Sequence, residues 1–130
     1  MAALTYRTFQ EQNADRCNSG VFGGHTVEDW PVQNWALAIA GEAGELCNLV
    51  KKALRGDFPL EEKRQEILEE IADVITYCDL LMSRLGADTA TEVRRKFDIV
   101  SQRVGYPTCV AGIEAPTFAV KDILSPRSEK

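Results

Sequence analysis

The chain has 130 residues, with 15 Lys and Arg against 20 Asp and Glu for a net charge of −5, and is 45% hydrophobic and 27% charged. That length suits one domain with a modest core, which two copies could enlarge by sharing it, and the composition is that of a globular chain. The acidic balance speaks against nucleic acid as a partner, since counterion release needs a concentrated basic face; with no membrane-spanning apolar run and no signal-type N-terminus, a cytoplasmic protein is expected.

Helical periodicity runs through most of the chain, with Gly and Pro confined to the joints. A first helix is predicted over about residues 4–17, stopping at the Gly-rich loop "CNSGVFGGHT". This loop lacks the G-K-[ST] ending of a phosphate-cradling loop and reads as a connector, and His25 within it has no assigned role. A second helix begins near Asp29 to Pro31, where an Asp cap and a first-turn Pro agree, and reaches about Arg55 before "GDFP". A third is predicted over about 60–85, ending at Gly86. The fourth starts at "DTATEV", where Thr89 and Glu92 match a capping box, and ends near Val104, ahead of Gly105 and Pro107.

Residues 1–107 thus form an all-α helical domain, and 108–130 an extended C-terminal arm whose Val110, Ile113, Phe118, Val120, Ile123 and Leu124 need cover from the bundle or a neighbouring chain. Cys17, Cys47, Cys78 and Cys109 form no C-x-x-C pair and read as reduced structural thiols.

The acids are the informative feature. With each residue advanced by about 100°, Glu42 and Glu45 share an arc of the second helix with Trp35, Ala38 and Leu49. On the third helix Glu66, Glu70 and Asp73 share an arc with Val74, Tyr77 and Leu81, and Glu69 sits at its margin. A single E-x-x-E commonly marks a wet helix face. Two acid pairs on consecutive helices, each coinciding with an apolar arc, favour a site. Ionised carboxylates in such surroundings need a countercharge, and these helices offer no inward base. A divalent metal is the economical answer; oxygen ligands without His or Cys select Mg²⁺ or Mn²⁺, and Mg²⁺ is commonly completed by substrate phosphates.

"GEAGELCNLVKK", the 24 residues between Glu45 and Glu70, and "EEIADVITY" together resemble the E-x-x-E…E-x-x-D signature of MazG-like all-α nucleoside triphosphate pyrophosphohydrolases. "RRKFDIVSQRVGYP" is similar to the third block of small single-domain members, so the resemblance covers about residues 30–107. It implies an intertwined homodimer or homotetramer with a shared core. It also implies Mg²⁺, replaceable by Mn²⁺, held by Glu42, Glu45, Glu70 and Asp73. The implied reaction cleaves the α–β phosphoanhydride of a nucleoside triphosphate to monophosphate and pyrophosphate. Glu69 either positions or deprotonates the attacking water, with Glu45 and Glu70 completing the catalytic group.

Lys96 matches the phosphate-contacting lysine of the "KF" block. The family's usual Asn and Arg positions around it hold Arg94, Ile99 and Val100 here, which leaves Arg103 to take over the distal arginine's work. Lys52 is a phosphate-contact candidate beside its structural role, with Lys51 and Arg55, at a helix C-terminus. Trp35 is the base-pocket candidate beside its role as core, and Asn34, with Gln33, is placed to read a base edge. Small phage-type, MazZ-like relatives put dGTP or GTP ahead of dCTP or dUTP. Two rivals stand: a ferritin-like di-iron bundle, which needs Glu-x-x-His motifs where the chain has only His25, and a non-catalytic helical oligomerisation or interaction module.

Overall fold

The computed structural model describes residues 4–21 and 23–106, and the predicted C-terminal arm with Cys109 lies outside them. Helix α1 spans Tyr6–Asn18, α2 Val32–Arg55, α3 Arg64–Arg84 and α4 Thr89–Val104, with a 3₁₀ turn at Leu60–Lys63 and no strand among the described residues. The all-α expectation holds. The chain divides into two units between Ala90 and Thr91, inside the first turn of α4. Each is described by itself.

Local chemistry sets the helix ends. The Thr5 hydroxyl accepts the Thr8 N–H at 3.2 Å while the Thr8 hydroxyl accepts the Thr5 N–H at 3.0 Å, a reciprocal cap that starts α1 two residues after the predicted point. Asp29 is not the cap of α2. Its carboxylate accepts the Thr26 N–H at 2.6 Å, its own N–H donates to the Thr26 hydroxyl at 3.2 Å, and this closed loop hands the cap position to Pro31. Gly56 ends α2 at φ 90° with the Asp57 N–H on the Lys52 carbonyl at 3.1 Å, and Gly86 follows α3 in the same way at φ 69° with Ala87 on Met82 at 2.9 Å. A side chain at either position meets the left-handed penalty. The predicted third helix is a 3₁₀ turn followed by α3, because Lys63 departs from helical angles at φ −104°, ψ 11°.

In the first unit α2 and α3 form the principal pair and α1 packs against α3. Buried Cys17, Val27, Trp35 and Leu80 form the core, flanked by Ala14, Trp30, Tyr77 and Leu81. Burying side chains of this size stabilises by about 1.5–3 kcal/mol each. Of the cysteines, Cys17 fits the expected structural thiol, whereas Cys47 and Cys78 are free but exposed, on helix faces that the described residues leave open.

A polar network completes the packing of α1 on α3. Asp79, 2% exposed, accepts from Asn13 Nδ2 at 2.9 Å and from the Thr89 hydroxyl at 2.6 Å. Gln10 accepts the Thr89 N–H at 2.9 Å and donates to the Ala87 carbonyl at 2.8 Å, so α1 ties down the joint between α3 and the start of α4. In the second unit, the Phe97 ring meets Tyr106 edge-on with centroids 6.4 Å apart.

Candidate metal and active site

The E-x-x-E spacing on α2 puts Glu42 and Glu45 about one turn apart on one face, and the E-x-x-D spacing does the same for Glu70 and Asp73 on α3. Pairing of α2 with α3 then brings three of the four together: one carboxylate oxygen from each of Glu42, Glu45 and Glu70 lies within 4.8 Å of the others. Asp73 stands outside this trio but within electrostatic reach of both Glu42 and Glu70. The site is shallower than the helical arcs predict, since Glu42 and Glu70 are half-buried and Glu45 and Asp73 exposed. The apolar residues that share these arcs are themselves only half-buried, Ala38 and Leu49 on α2 and Val74, Tyr77 and Leu81 on α3, with Trp35 alone among them fully covered.

Desolvation first, then the charges of Asp73, Glu45 and Glu70, push the Glu42 carboxyl above its ordinary range. Glu70 is pushed up by desolvation and by Glu45, Asp73, Glu69 and Glu66. Among the described residues, no side chain donates a hydrogen bond or ion pair to Glu42, Glu45, Glu70 or Asp73. A group of converging carboxylates without donors, built from oxygen alone, has the chemistry of a hard divalent cation site, and Glu42, Glu45 and Glu70 are the residues that fit one, with Asp73 beside them.

Glu69 is exposed next to this group, and its Oε1 accepts from Gln65 Nε2 at 3.1 Å. Lys52 is half-buried on α2, and Lys96 and Arg103 are exposed on α4, in the second unit. Asn34 is half-buried in the first turn of α2.

Trp35 requires a correction. Its ring is fully buried, with Nε1 donating to the Val27 carbonyl at 3.4 Å, so it is a core residue and offers no open face to a base. His25, given no role from sequence, stacks on Trp30 at 3.8 Å and meets Trp35 edge-on at 5.3 Å. Tyr77 joins this aromatic group to the acids: it lies 6.2 Å from Trp35, and its hydroxyl is held above its usual range by burial and by Glu42 and Asp73. The signal for Tyr77 was available, one helical turn beyond Asp73. The only signal for His25 was its loop position, which says nothing about stacking.

The chain is thus an all-α protein in which two neighbouring helices bring an E-x-x-E pair and the Glu of an E-x-x-D pair together in a group that could hold a cation. The family model of the MazG-like family matches residues 42–107, about half of the chain and all four acids, and the chain belongs to that family. It is similar to the Gene 37 protein of Mycobacterium phage L5, at 32% identity over 69 residues that cover 52% of this chain and 60% of that protein. The match thus spans less than two thirds of that relative's length. No solved structure matches the chain.

Proposed function

We propose that the protein is a Mg²⁺-dependent nucleoside triphosphate pyrophosphohydrolase that cleaves the α–β phosphoanhydride to a (deoxy)nucleoside monophosphate and pyrophosphate. The observation that carries this reading is the convergence of Glu42, Glu45 and Glu70 within 4.8 Å, with no ion-pair partner among the described residues. Membership of the MazG-like family, which points to nucleotide pyrophosphohydrolase chemistry in general, supports it. Glu42, Glu45, Glu70 and Asp73 would hold the cation, with Mn²⁺ able to replace Mg²⁺. When bound, the ion supplies charge neutralisation at the phosphates and acidifies a water ligand.

The chain's own work is to gather the charge and move one proton. One water is consumed: its hydroxyl ends on one phosphorus of the α–β anhydride, the bridging oxygen leaves with the other, and a carboxylate takes the released proton. Glu69 is the base in this reading, its Oε1 steadied by Gln65 and its second oxygen left to orient the water. Glu45 and Glu70 complete the catalytic group in this reading. Lys96, with Arg103 in place of the family's usual arginine, is assigned to substrate phosphates, and Asn34 to the base. The Lys96 assignment rests on its matching position in the signature, and that of Asn34 on its place in the first turn of α2.

The preferred base is guanine, as dGTP or GTP, ahead of dCTP and dUTP; the phage relative is in keeping with a phage-type member working in the host cytoplasm. Self-association as a dimer or tetramer is part of the proposal. Leu37, Leu54, Leu68 and Ile75 are 40–84% exposed on α2 and α3, and a second copy would cover them. Incubating the purified chain with each common ribo- and deoxyribonucleoside triphosphate and Mg²⁺, then separating products, tests the reading. Monophosphate and pyrophosphate are expected, most from guanine nucleotides. Release of orthophosphate and diphosphate, or no turnover of any triphosphate, sinks it.

A further inference from the structure

Three basic residues lie on α2, and their surroundings separate them. Arg55 is taken by Asp57, with Nε on Oδ1 at 3.0 Å. Lys51 lines an apolar groove with Leu46, Cys47, Val50, Leu54 and Ile67, away from the acids. Lys52 is half-buried and makes no hydrogen bond or ion pair with any described residue; its charge is felt by Asp57, whose carboxylate is already engaged by Arg55.

The register of Lys52 is that of the acid face. It follows Glu45 by seven residues, two turns along the helix, which puts it about 10.5 Å further along the axis and only about 20° round. Helical side chains lean toward the N-terminus of their helix, which for Lys52 is toward Glu45. The helix end here carries the negative pole of the α2 dipole, which repels phosphate unless a cation offsets it. At the other end of the same acid face stands Tyr77, electrostatically coupled to Glu42 and Asp73. The face therefore runs in one direction, from an aromatic end through the carboxylates to one ammonium that has no hydrogen bond or ion pair among the described residues.

We infer that Lys52 meets the terminal phosphate of the triphosphate and so sets the direction in which the substrate lies, tail toward the C-terminal end of α2 and nucleoside toward Tyr77. The assignment rests on the pyrophosphohydrolase reading for its substrate, and it extends that reading by making Lys52 the residue that distinguishes a triphosphate from shorter nucleotides. A flexible ammonium on a four-carbon stem suits a point contact with a rotating terminal phosphate.

Calorimetric titration of inorganic pyrophosphate with Mg²⁺ into the wild-type chain, Lys52→Ala and Lys52→Arg tests it without turnover. Lys52→Ala should weaken pyrophosphate by about tenfold, the loss of one charge-assisted contact, with nucleoside monophosphate affinity and melting temperature unchanged. Lys52→Arg should restore most of the loss. Should Lys52→Ala prove poorly folded, Lys52→Gln carries the same measurement. Equal pyrophosphate affinity in wild type and Lys52→Ala, parallel loss of monophosphate affinity, or no pyrophosphate binding by wild type overturns the inference. A wild type that binds pyrophosphate through Lys52 but hydrolyses no triphosphate sinks the hydrolase reading alone.

Discussion

Helix α3 carries two carboxylate sites nine residues apart that resolve the same electrostatic problem in opposite ways. At Asp79 the charge is almost fully buried, and each oxygen has a donor from another part of the first unit, Asn13 on one side and Thr89 on the other. At Glu70 the carboxylate is half-buried among like charges, with no donor among the described residues. A satisfied carboxylate fixes geometry; an unsatisfied cluster is a standing demand for a cation from outside. The contrast separates an acid whose donors are built into the fold from acids that have none among the described residues, and the proposed site is made of the second kind.

Removing each acid in turn should show this difference. Asp79→Ala leaves the Asn13 amide and the Thr89 hydroxyl without their acceptor and should lower stability by about 3 kcal/mol, measured by urea unfolding. The rise in melting temperature produced by Mg²⁺ should be the same as in wild type. An Asp79→Ala variant as stable as wild type breaks the comparison at its first term.

Glu70→Gln should do the reverse. Turnover should fall by more than about 100-fold, since even outer partners of a metal site commonly cost about 10–100-fold. The metal-free protein should melt no lower than wild type, because one of the repelling charges is gone. Saturating Mg²⁺, worth about 2.7 kcal/mol at a hundred times its Kd for a site on the folded chain, should no longer raise the melting temperature. Near-normal pyrophosphate release by this variant counts against the whole site assignment.

The smallest expected effect is a pH slope. The Glu42 and Glu70 carboxyls are held above their ordinary range, so the folded chain binds protons that the unfolded chain does not. Their contribution to stability is full below the unfolded value and is lost as pH rises through the raised folded value. Metal-free protein should therefore gain stability from these groups on mild acidification just above the ordinary carboxylate range, and the gain should shrink in Glu42→Gln. Melting curves of the two proteins compared across that window check it; identical pH slopes would remove the electrostatic argument for the cluster.

Much of this was readable in advance, for a local reason. Four helices, their Gly and Pro joints and the shared arc of Glu42 with Glu45 and of Glu70 with Asp73 all follow from a rotation of about 100° per residue, which neighbouring residues set among themselves. The errors fall where two local signals compete or where a partner comes from far along the chain. Asp29 carries a cap signal, but the Thr26 N–H three residues earlier claims its carboxylate. In sequence Trp35 reads as core more readily than as a base platform but allows both, and the arrival of Val27, Trp30 and Tyr77 around it decides for the core.

The sequence by itself therefore determined which residues share a helix face, which oxygen donors are present and to which family the chain is related. Tertiary structure alone decided that Glu42 and Glu45 meet Glu70 across the α2–α3 pair while Asp79 finds Asn13 and Thr89, and that His25 rests on Trp30. Helical periodicity is a short-range property of the backbone. Which face meets which depends on contacts between residues tens of positions apart, and those contacts exist only once the helices have packed.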